Sequence, residues 1–518
     1  VSVQLEVATA PALIDCLNPA TGEKLGQVPA ATPAMVAKVV RDARAAQEAY
    51  AQTSFALRRR VLKRLRKALI DDADELCALV CKVSGKTREH ALIGEIWPMA
   101  EKLTWTIKNG QKYLKPEKVS SGILAHKSAR LEYLPLGVVG AIIPWNYPLL
   151  NILNGAIPAL MAGNAVVVKP SEQCSFASSR VRQLVHSALA AEGLPTALFE
   201  IVDGFGDTGK ALIESGIDGL LFIGSPANGR KVLEAAAKQV IPVVLELGGK
   251  DPFIVCEDAD LERAAHAAMV GVFINCGQNC VAAERILVHE KIAPAFEKRI
   301  GEMVGALRQG PSGLDQVLDV GSMANAMQMG VVEKLVGKAL TEGARVVSGA
   351  RRREGGGLFF QPTVLADVTP EMTIMKEETF GPVMLLTTFR DDEEAIALAN
   401  GSPYSLGASV FSGDSARARR IGAKVKSGMT ALNDFGGMTF MSPALTFGGV
   451  GESGFGRLNG RDGLRACTNV KAVLEDRFPV AVTARAFPVD AGLYSRTKRS
   501  LGWLYSGLGD FLRSLVGV

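Results

Sequence analysis

Two residues in this chain have the types and settings that covalent carbonyl chemistry needs. Cys280, in FINCGQNCVAAERI, follows Gly277 inside a run of small side chains, where a backbone can come close to a bound molecule. A thiolate is a strong nucleophile, yet a lone buried cysteine is also a common inert apolar side chain, and the segment alone leaves both readings open. Glu246, in VVLELGGKDPF, ends an apolar run beside Gly248 and Gly249. A carboxyl group drawn out of water there has a raised pKa and can act as a general base; facing solvent, it is only a strand-end acid. Two further groups sit where a strand gives way to a helix or turn. Gly224, Ser225 and Gly229, in LLFIGSPANGRKVLEAAA, would aim free backbone N–H groups at an anion, although the spacing is not GxGxxG and such turns are common as plain architecture. Lys169 and Glu172, in KPSE, would stand at the ligand edge of a parallel sheet or on a solvated turn. Cys276 with Cys77 and Cys81 raises a metal alternative, but the five histidines are scattered and no second close pair completes a four-ligand set, so no metal is expected.

The elements that must carry these groups follow from hydrophobic periodicity. From about residue 30 to 115 the pattern is helical, with Met35, Val39 and Val40, then Leu62, Leu65 and Leu69, recurring at three and four residues. Beyond 130, short β-rich runs at 138–143, 165–168, 199–202, 220–223 and 242–245 alternate with amphipathic segments of helical length, which predicts a parallel α/β sheet. A second α/β series, including 253–255, 286–288 and 346–347, predicts another domain with its boundary near Gly248 and Gly249. The stretch 133–168 has no charged side chain and is longer than the roughly 20 residues that span a bilayer. Its four prolines and four asparagines would strand backbone groups in lipid, so it reads as buried strand, loop, helix and strand.

Composition narrows the function classes. Lys and Arg outnumber Asp and Glu by 58 to 53, too small an excess over 518 residues to imply nucleic-acid binding. Eight irregularly spaced cysteines do not form a disulfide framework, which fits a reducing, cytoplasmic setting, and the first residues show no secretion signal.

Taken together, the segments resemble the NAD(P)-dependent aldehyde dehydrogenase superfamily. The resemblance runs from NPATGE (18–23) through PWNYP (144–148), GNAVVVKPSE, FIGSPANG, LELGGKDP, GQNC and EETFGPV (377–383) to FGGVGESGFGR (447–457), in order. It implies an α/β fold with a Rossmann-like cofactor domain, an α/β catalytic domain and a small oligomerisation element. The corresponding boundaries are 1–115 and 137–247 for the cofactor domain, 116–136 for an oligomerisation arm and 248–461 for the catalytic domain. An oligomerisation strand at 462–476 and an amphipathic tail at 477–518 complete the chain.

The resemblance also implies roles. Cys280 matches the nucleophile and Asn146 the side-chain donor to the oxyanion, with the Cys280 backbone N–H as second donor. Glu246 matches the base that activates water to hydrolyse a Cys280 thioester after hydride has passed to the nicotinamide. Relatives that hand the acyl group to coenzyme A typically lack a glutamate there, so the product expected here is a carboxylic acid. Trp145 and Ser225, with Gly224 and Gly248, match contacts along the cofactor; Lys169 and Glu172 match its adenosine ribose, Lys169 standing also with the catalytic set; Glu378 and Phe380 match the nicotinamide-ribose clamp. A 2′-phosphate at about 4 Å from Glu172 would be repelled by about 4 kcal/mol per charge at an effective dielectric near 20, so NAD is expected, with NADP open if the carboxylate turns away.

The substrate is read from side chains around the nucleophile. Met438, Phe440, Met441 and Leu445 supply an apolar wall, Asn151 and Asn154 a polar strip after Tyr147 and Leu150, and Arg285 is the one nearby cation placed for a carboxylate. Apolar medium- or long-chain aldehydes are favoured; semialdehydes or aminoaldehydes, and a catalytically silent structural relative, are the alternatives. A homodimer or homotetramer is implied by the family's shared sheet. In the tail, Leu501, Leu504, Tyr505, Leu508, Phe511, Leu512 and Leu515 recur at helical spacing behind Arg496, Lys498 and Arg499. That stripe is expected to dock on the protein itself or a partner subunit, with peripheral membrane contact as the alternative.

Overall fold

The structure, a computed structural model, describes residues 11–312, 316–479, 487–505 and 507. It divides into two compact units, one of residues 1–115 with 133–470 and one of 116–132 with 471–518.

In the first unit the helical region resolves into Pro33–Ala51, Phe55–Asp71, Ala73–Ser84 and Trp97–Leu114. Thr32 and Ser54 cap the first two, their side-chain oxygens accepting from the N–H groups of Met35 and Leu57. The buried stripe of the first helix is Val36, Val40, Ala43, Gln47 and Tyr50; Met35, expected on it, lies one position off the face and is exposed. Just before the last of these helices, Leu92–Ile96 forms a π-helical turn, the kind of single-turn bulge that often marks functional sites.

Strands β1 (Val138–Ile143), β2 (Ala165–Pro170), β3 (Phe199–Ile201), β4 (Gly219–Gly224) and β5 (Val243–Leu247) form a parallel sheet in the order β3-β2-β1-β4-β5. This is the doubly wound, Rossmann-like arrangement. Helix α1 (Pro148–Ala162) joins β1 to β2 and is buried along its whole length, which explains the charge-free stretch without a membrane. Helix α2 (Pro226–Ala237) follows β4. The register sets Ile143 opposite Pro170 and Ile223 opposite Glu246, so the carboxyl ends of the strands form one edge.

The second sheet consists of β6 (Pro252–Val255), β7 (Arg285–His289), β8 (Arg345–Ser348), β9 (Thr363–Ala366), β10 (Val383–Phe389), β11 (Gly407–Phe411) and β12 (Met429–Leu432). Its order is β8-β9-β10-β7-β6-β11-β12, parallel except for the edge strand β8. The chain passes from the first sheet to the second across Gly248 to Asp251, and then returns: β13 (Gly454–Phe455), from the motif FGGVGESGFGR, pairs antiparallel with β5 and sets Gly454 opposite Glu246. A Cβ at Gly454 would meet the Leu245 carbonyl at 2.2 Å, and its φ of +98° suits glycine.

The second unit holds most of a three-stranded sheet in which Lys127–Pro135 lies between Glu117–Val119, to which it is antiparallel, and Thr468–Asp476. Arg130 pairs with Glu132 and Glu475 there. The tail forms helix Leu493–Tyr505 with Leu501, Leu504 and Tyr505 exposed; Leu508, Phe511, Leu512 and Leu515 lie outside the described residues. Among the described residues no helix is long and apolar enough to cross a membrane.

Candidate active site

Cys280 sits on a turn after the segment Ile274–Gly277, where three consecutive residues take left-handed φ values: 52° at Asn275, 57° at Cys276 and 70° at Gly277. Only the glycine is at ease there, and the other two carry strain of about 1–3 kcal/mol each. The surroundings hold it in place. Asn275 N–H donates to His90 Nδ1 at 3.2 Å, and Asn275 Nδ2 donates to the carbonyls of Asn146 and Gln278 at 2.9 and 3.0 Å. Gln278 Nε2 donates back to the Asn275 carbonyl, while Gln278 Oε1 accepts from Ala324 N–H. A Cβ at Gly277 would lie 2.0 Å from the Gly381 carbonyl oxygen, so the GQNC glycine is required by contact as well as by φ.

Opposite the turn, the Gly248–Gly249 pair lets three segments meet. A Cβ on Gly248 would lie 2.4 Å from the Glu378 carboxylate, and one on Gly249 the same distance from the Cys280 carbonyl oxygen. Ser453, which is fully buried, donates from its hydroxyl to the Gly248 carbonyl at 2.7 Å and so ties the returning chain to this turn. Gly249 N–H donates to Glu378 Oε1 at 3.0 Å.

Glu246 and Cys280 both line a cavity of about 670 Å³. Glu246 is buried, its Oε1 has no hydrogen-bond partner among the described residues, and burial pushes its carboxyl up to about pH 7, opposed by its interaction with the thiol. Burial raises the Cys280 thiol well above its ordinary value, and the facing acids Glu246, Glu378 and Asp251 push in the same direction. The resting cysteine is therefore a neutral thiol, which would need a base to become a thiolate near neutrality, and Glu246 is a carboxylate lining the same cavity.

Asn146 lies on the segment between β1 and α1. Its Nδ2 donates to the Gln278 carbonyl at 3.2 Å, and its Oδ1 accepts from Asn151 Nδ2 at 3.2 Å, which fixes the amide with its donor side toward the Cys280 turn. Beneath it lies an ion pair that sequence reasoning missed. Lys86 and Glu95 are fully buried at 2.6 Å; Lys86 also donates to the Asn146 carbonyl at 2.9 Å and stands over the Tyr147 ring. Glu95, brought inward by the π-helical turn, accepts from Leu149 and Leu150 N–H at 2.8 and 2.9 Å and so caps α1. A second missed pair, Lys250 with Glu284, supports Glu378 and Phe380: Glu284 accepts from the N–H groups of Thr379 and Phe380 at 2.8 Å each. Phe380, at φ 49°, meets Trp145 edge to face at 5.5 Å. Burial, then the charge of Glu284, pushes Glu378 up to about pH 8.

Trp145, Asn146, Gly224, Ser225, Glu246, Gly248, Cys280, Glu378 and Phe380 thus share one cavity. Lys169 and Glu172 lie outside its lining, at the carboxyl end of β2, with Lys169 Nζ 3.9 Å from Glu172 Oε2. That place fits a contact to a cofactor better than a catalytic step. Ser225 caps α2, its hydroxyl accepting from Asn228 N–H; Pro226 has no N–H, so the Ala227 N–H is the helix-start donor without a partner among the described residues. An anion at α2, hydroxyl partners at Lys169 and Glu172, and a carboxylate with an aromatic ring at Glu378 and Phe380 together form a donor and acceptor set suited to a dinucleotide.

Arg285 is a correction to the sequence reading. It begins β7, is buried, and donates to the carbonyls of Lys250, Leu398 and Ala399 at 2.7–2.8 Å, so it holds the second sheet and does not reach the cavity. Met438, Phe440 and Met441 line the cavity as expected, with Tyr147, Leu150, Asn151 and Asn154; Leu445 is exposed and does not. Among the described residues, no group of three or more His, Cys, Asp or Glu side chains could hold a metal ion.

Residues 7–473 match the model of the aldehyde dehydrogenase family. The chain is 36% identical over 510 residues to an aldehyde dehydrogenase-like protein of Schizosaccharomyces pombe, covering 97% of this chain and 95% of that one. It is 37% identical over 494 residues to 4,4′-diapolycopene aldehyde oxidase of a Methylomonas species, covering 95% and 91%. The crystal structure of PnpE in complex with nicotinamide adenine dinucleotide superposes with a TM-score of 0.84 at 29% identity, covering 92% of this chain and 96% of that one. The two α/β sheets, the shared cavity and these similarities agree: the chain belongs to the aldehyde dehydrogenase family, whose reaction is the oxidation of aldehydes to acids.

Proposed function

We propose that this enzyme oxidises apolar medium- or long-chain aldehydes to carboxylic acids with NAD, using Cys280 as nucleophile and Glu246 as base. The observation that carries the reading is a thiol kept neutral by burial beside a buried carboxylate raised to about 7, with no cation paired to it among the described residues, in one largely apolar cavity. Glu246 takes the thiol proton, and the thiolate sulfur bonds to the aldehyde carbon. Asn146 Nδ2 and the Cys280 backbone N–H donate to the oxygen as it gains charge. Bound NAD supplies the acceptor for the hydride that leaves this carbon. Once Glu246 has passed the thiol proton to solvent, it takes a proton from the water that attacks the Cys280 thioester, and the departing Cys280 sulfur regains a proton as the acid is freed. Glu378, Phe380 and Trp145 would hold the nicotinamide end of the cofactor, Ser225 and α2 its pyrophosphate, and Lys169 with Glu172 its adenosine ribose. The presence of all three groups, Cys280, Glu246 and Asn146, argues against a silent relative.

The cavity favours apolar chains because its described lining contains Met438, Phe440, Met441 and Phe447 and neither lysine nor arginine. A semialdehyde carboxylate would lose its water without gaining a cationic partner. A panel of aldehydes followed by nicotinamide absorbance tests this. Catalytic efficiency is expected to rise about two- to fourfold per methylene along short straight chains, in line with about 0.8 kcal/mol per buried CH₂, and to fall when the far end carries a carboxylate. A semialdehyde as best substrate would overturn the assignment.

NAD is preferred over NADP because Glu172 stands where the ribose hydroxyls would lie. Lys169 Nζ at 3.9 Å offsets part of its charge, so Glu172→Gln is expected to raise the NADP to NAD ratio of kcat/KM by about tenfold and no more. An unchanged ratio would place Glu172 away from the ribose. All eight cysteines are free, which suits the cytoplasm, and the exposed edge of Thr468–Asp476 suits joining copies into a dimer or tetramer. The tail helix is proposed to dock on protein, with peripheral membrane contact as the alternative.

A further inference from the structure

Lys102 is buried in the first unit, and among the described residues no carboxylate pairs with it. Its ammonium donates to the Asn154 carbonyl at 3.0 Å and to Asn154 Oδ1. The first contact has a local cause. Pro158 lies four residues further along α1 and has no N–H, so the Asn154 carbonyl lacks its helical donor. A water or a hydroxyl would satisfy that carbonyl, whereas a buried lysine without an acid is expensive to desolvate. Burial lowers the lysine to about pH 7. The second contact shows what the lysine adds. With Oδ1 engaged, the free end of the side chain is Nδ2, and Asn154 lines the cavity that holds Cys280. Asn146 and Asn151 each spend one amide N–H, on the Gln278 carbonyl and on Asn146 Oδ1, and the second N–H of Asn146 is the one proposed for the oxyanion; Asn154 Nδ2 bonds to no described residue, so both of its N–H groups remain to donate. Beside Lys102, a void of about 10 Å³, room for one water, is lined also by Pro158 and by Asn459, whose Oδ1 has no hydrogen-bond partner. The polar spot therefore extends behind the wall that Asn154 forms.

We propose that Asn154, oriented by Lys102, donates a hydrogen bond to an uncharged oxygen, a hydroxyl or carbonyl, carried on the otherwise apolar chain of the aldehyde. Asn154 stands six residues beyond Pro148, about 9 Å along α1 at 1.5 Å per residue, whereas Asn146, the proposed oxyanion donor, precedes the helix, so the oxygen Asn154 meets is a different one from the reacting carbonyl's. The inference rests on aldehyde oxidation at Cys280 and refines its substrate class. Lys102 is a positioning residue, and Asn154 determines specificity.

The test compares straight-chain aldehydes with the same chains bearing a hydroxyl at successive carbons, using NADH formation by the full-length protein. The wild type is expected to favour one hydroxyl position over the plain chain by about two- to tenfold in kcat/KM, through a lower KM. Asn154→Asp keeps size and a partner for Lys102 but offers only acceptors, and should bring the ratio to one or below; Lys102→Met should reduce it. A merely structural role would lower both efficiencies equally and leave the ratio unchanged, and that result, or a wild type with no preference at any position, would overturn the proposal. A wild type that oxidises none of the aldehydes would instead remove the reading on which it rests.

Discussion

Replacing Cys280 by alanine is expected to abolish NADH formation, with a loss on the order of 10⁴-fold or more, while the protein stays folded. The size follows from what the cavity contains. Bond formation to the aldehyde carbon needs sulfur, and the other thiol nearby, Cys276, cannot stand in: it is 1% exposed, donates to Met323 Sδ at 3.8 Å and does not line the cavity. Loss of a nucleophile that acts with its base removes the contribution of both, so the remaining rate reflects binding and the oxyanion donors alone. Cys280→Ser should be almost as inactive, since a hydroxyl is far harder than a thiol for a carboxylate of pKa about 7 to deprotonate. The measurement is steady-state NADH formation alongside thermal unfolding, because removing a half-buried thiol should move the melting temperature little. Turnover within tenfold of wild type in the alanine variant would end the assignment of Cys280 as nucleophile.

The residues that this prediction uses were legible in the sequence, but the framework that aims them was not. Glycines whose neighbours crowd a Cβ, such as Gly248, Gly249 and Gly277, stand next to functional groups in the chain, so motif and geometry coincide. The strands were legible for a different reason: each is a short, predominantly apolar run, and 138–143 agrees with the observed β1 at both ends. The Lys86–Glu95 and Lys250–Glu284 pairs carry no such mark. Each charge sits in a segment that reads as an ordinary polar position, and its partner is set by tertiary packing across 9 and 34 residues. The signal available was a lysine directly after LELGG and a glutamate in a run of small residues, neither of which points to the other. Breaking either pair would leave a buried charge, typically costing 3–5 kcal/mol, so the site depends on residues that periodicity does not reveal. Arg285 failed in the opposite way. It is five positions from Cys280 in the chain, but it opens a strand whose five residues are all buried, and its guanidinium turns to backbone carbonyls on the far side of the turn. Nearness in sequence misled because the chain changes direction between the nucleophile and β7. The return of β13 to the first sheet was hidden too, since a two-residue strand rich in glycine has no alternation to detect.

Glu246→Gln separates the two halves of the reaction, and it is the more demanding test. Glutamine keeps the volume and a polar group in the buried site but cannot take a proton. Hydrolysis of the thioester requires one from water, so steady turnover should fall about 10²- to 10⁴-fold. Acylation can still proceed through the small thiolate fraction that rising pH provides, so a pre-steady-state burst of NADH should survive at high pH, and intact mass should show the enzyme carrying the acyl group. The wild type should show its own signature in pH. Burial raises the Glu246 carboxyl to about 7; below that value it is protonated and cannot act as a base, and above it the charged form dominates. Turnover should therefore climb as pH rises through about 7 and level off beyond it. The glutamine variant should lose that limb. Its remaining rate should rise only where Cys280 itself ionises, well above neutrality, because the thiol is held up by burial and by the neighbouring acids. A variant that turns over normally, or one that accumulates no acyl-enzyme while keeping the wild-type pH limb near 7, would move the base from Glu246 to another group, with Glu378, pushed up to about 8 in the same cavity, the first to examine.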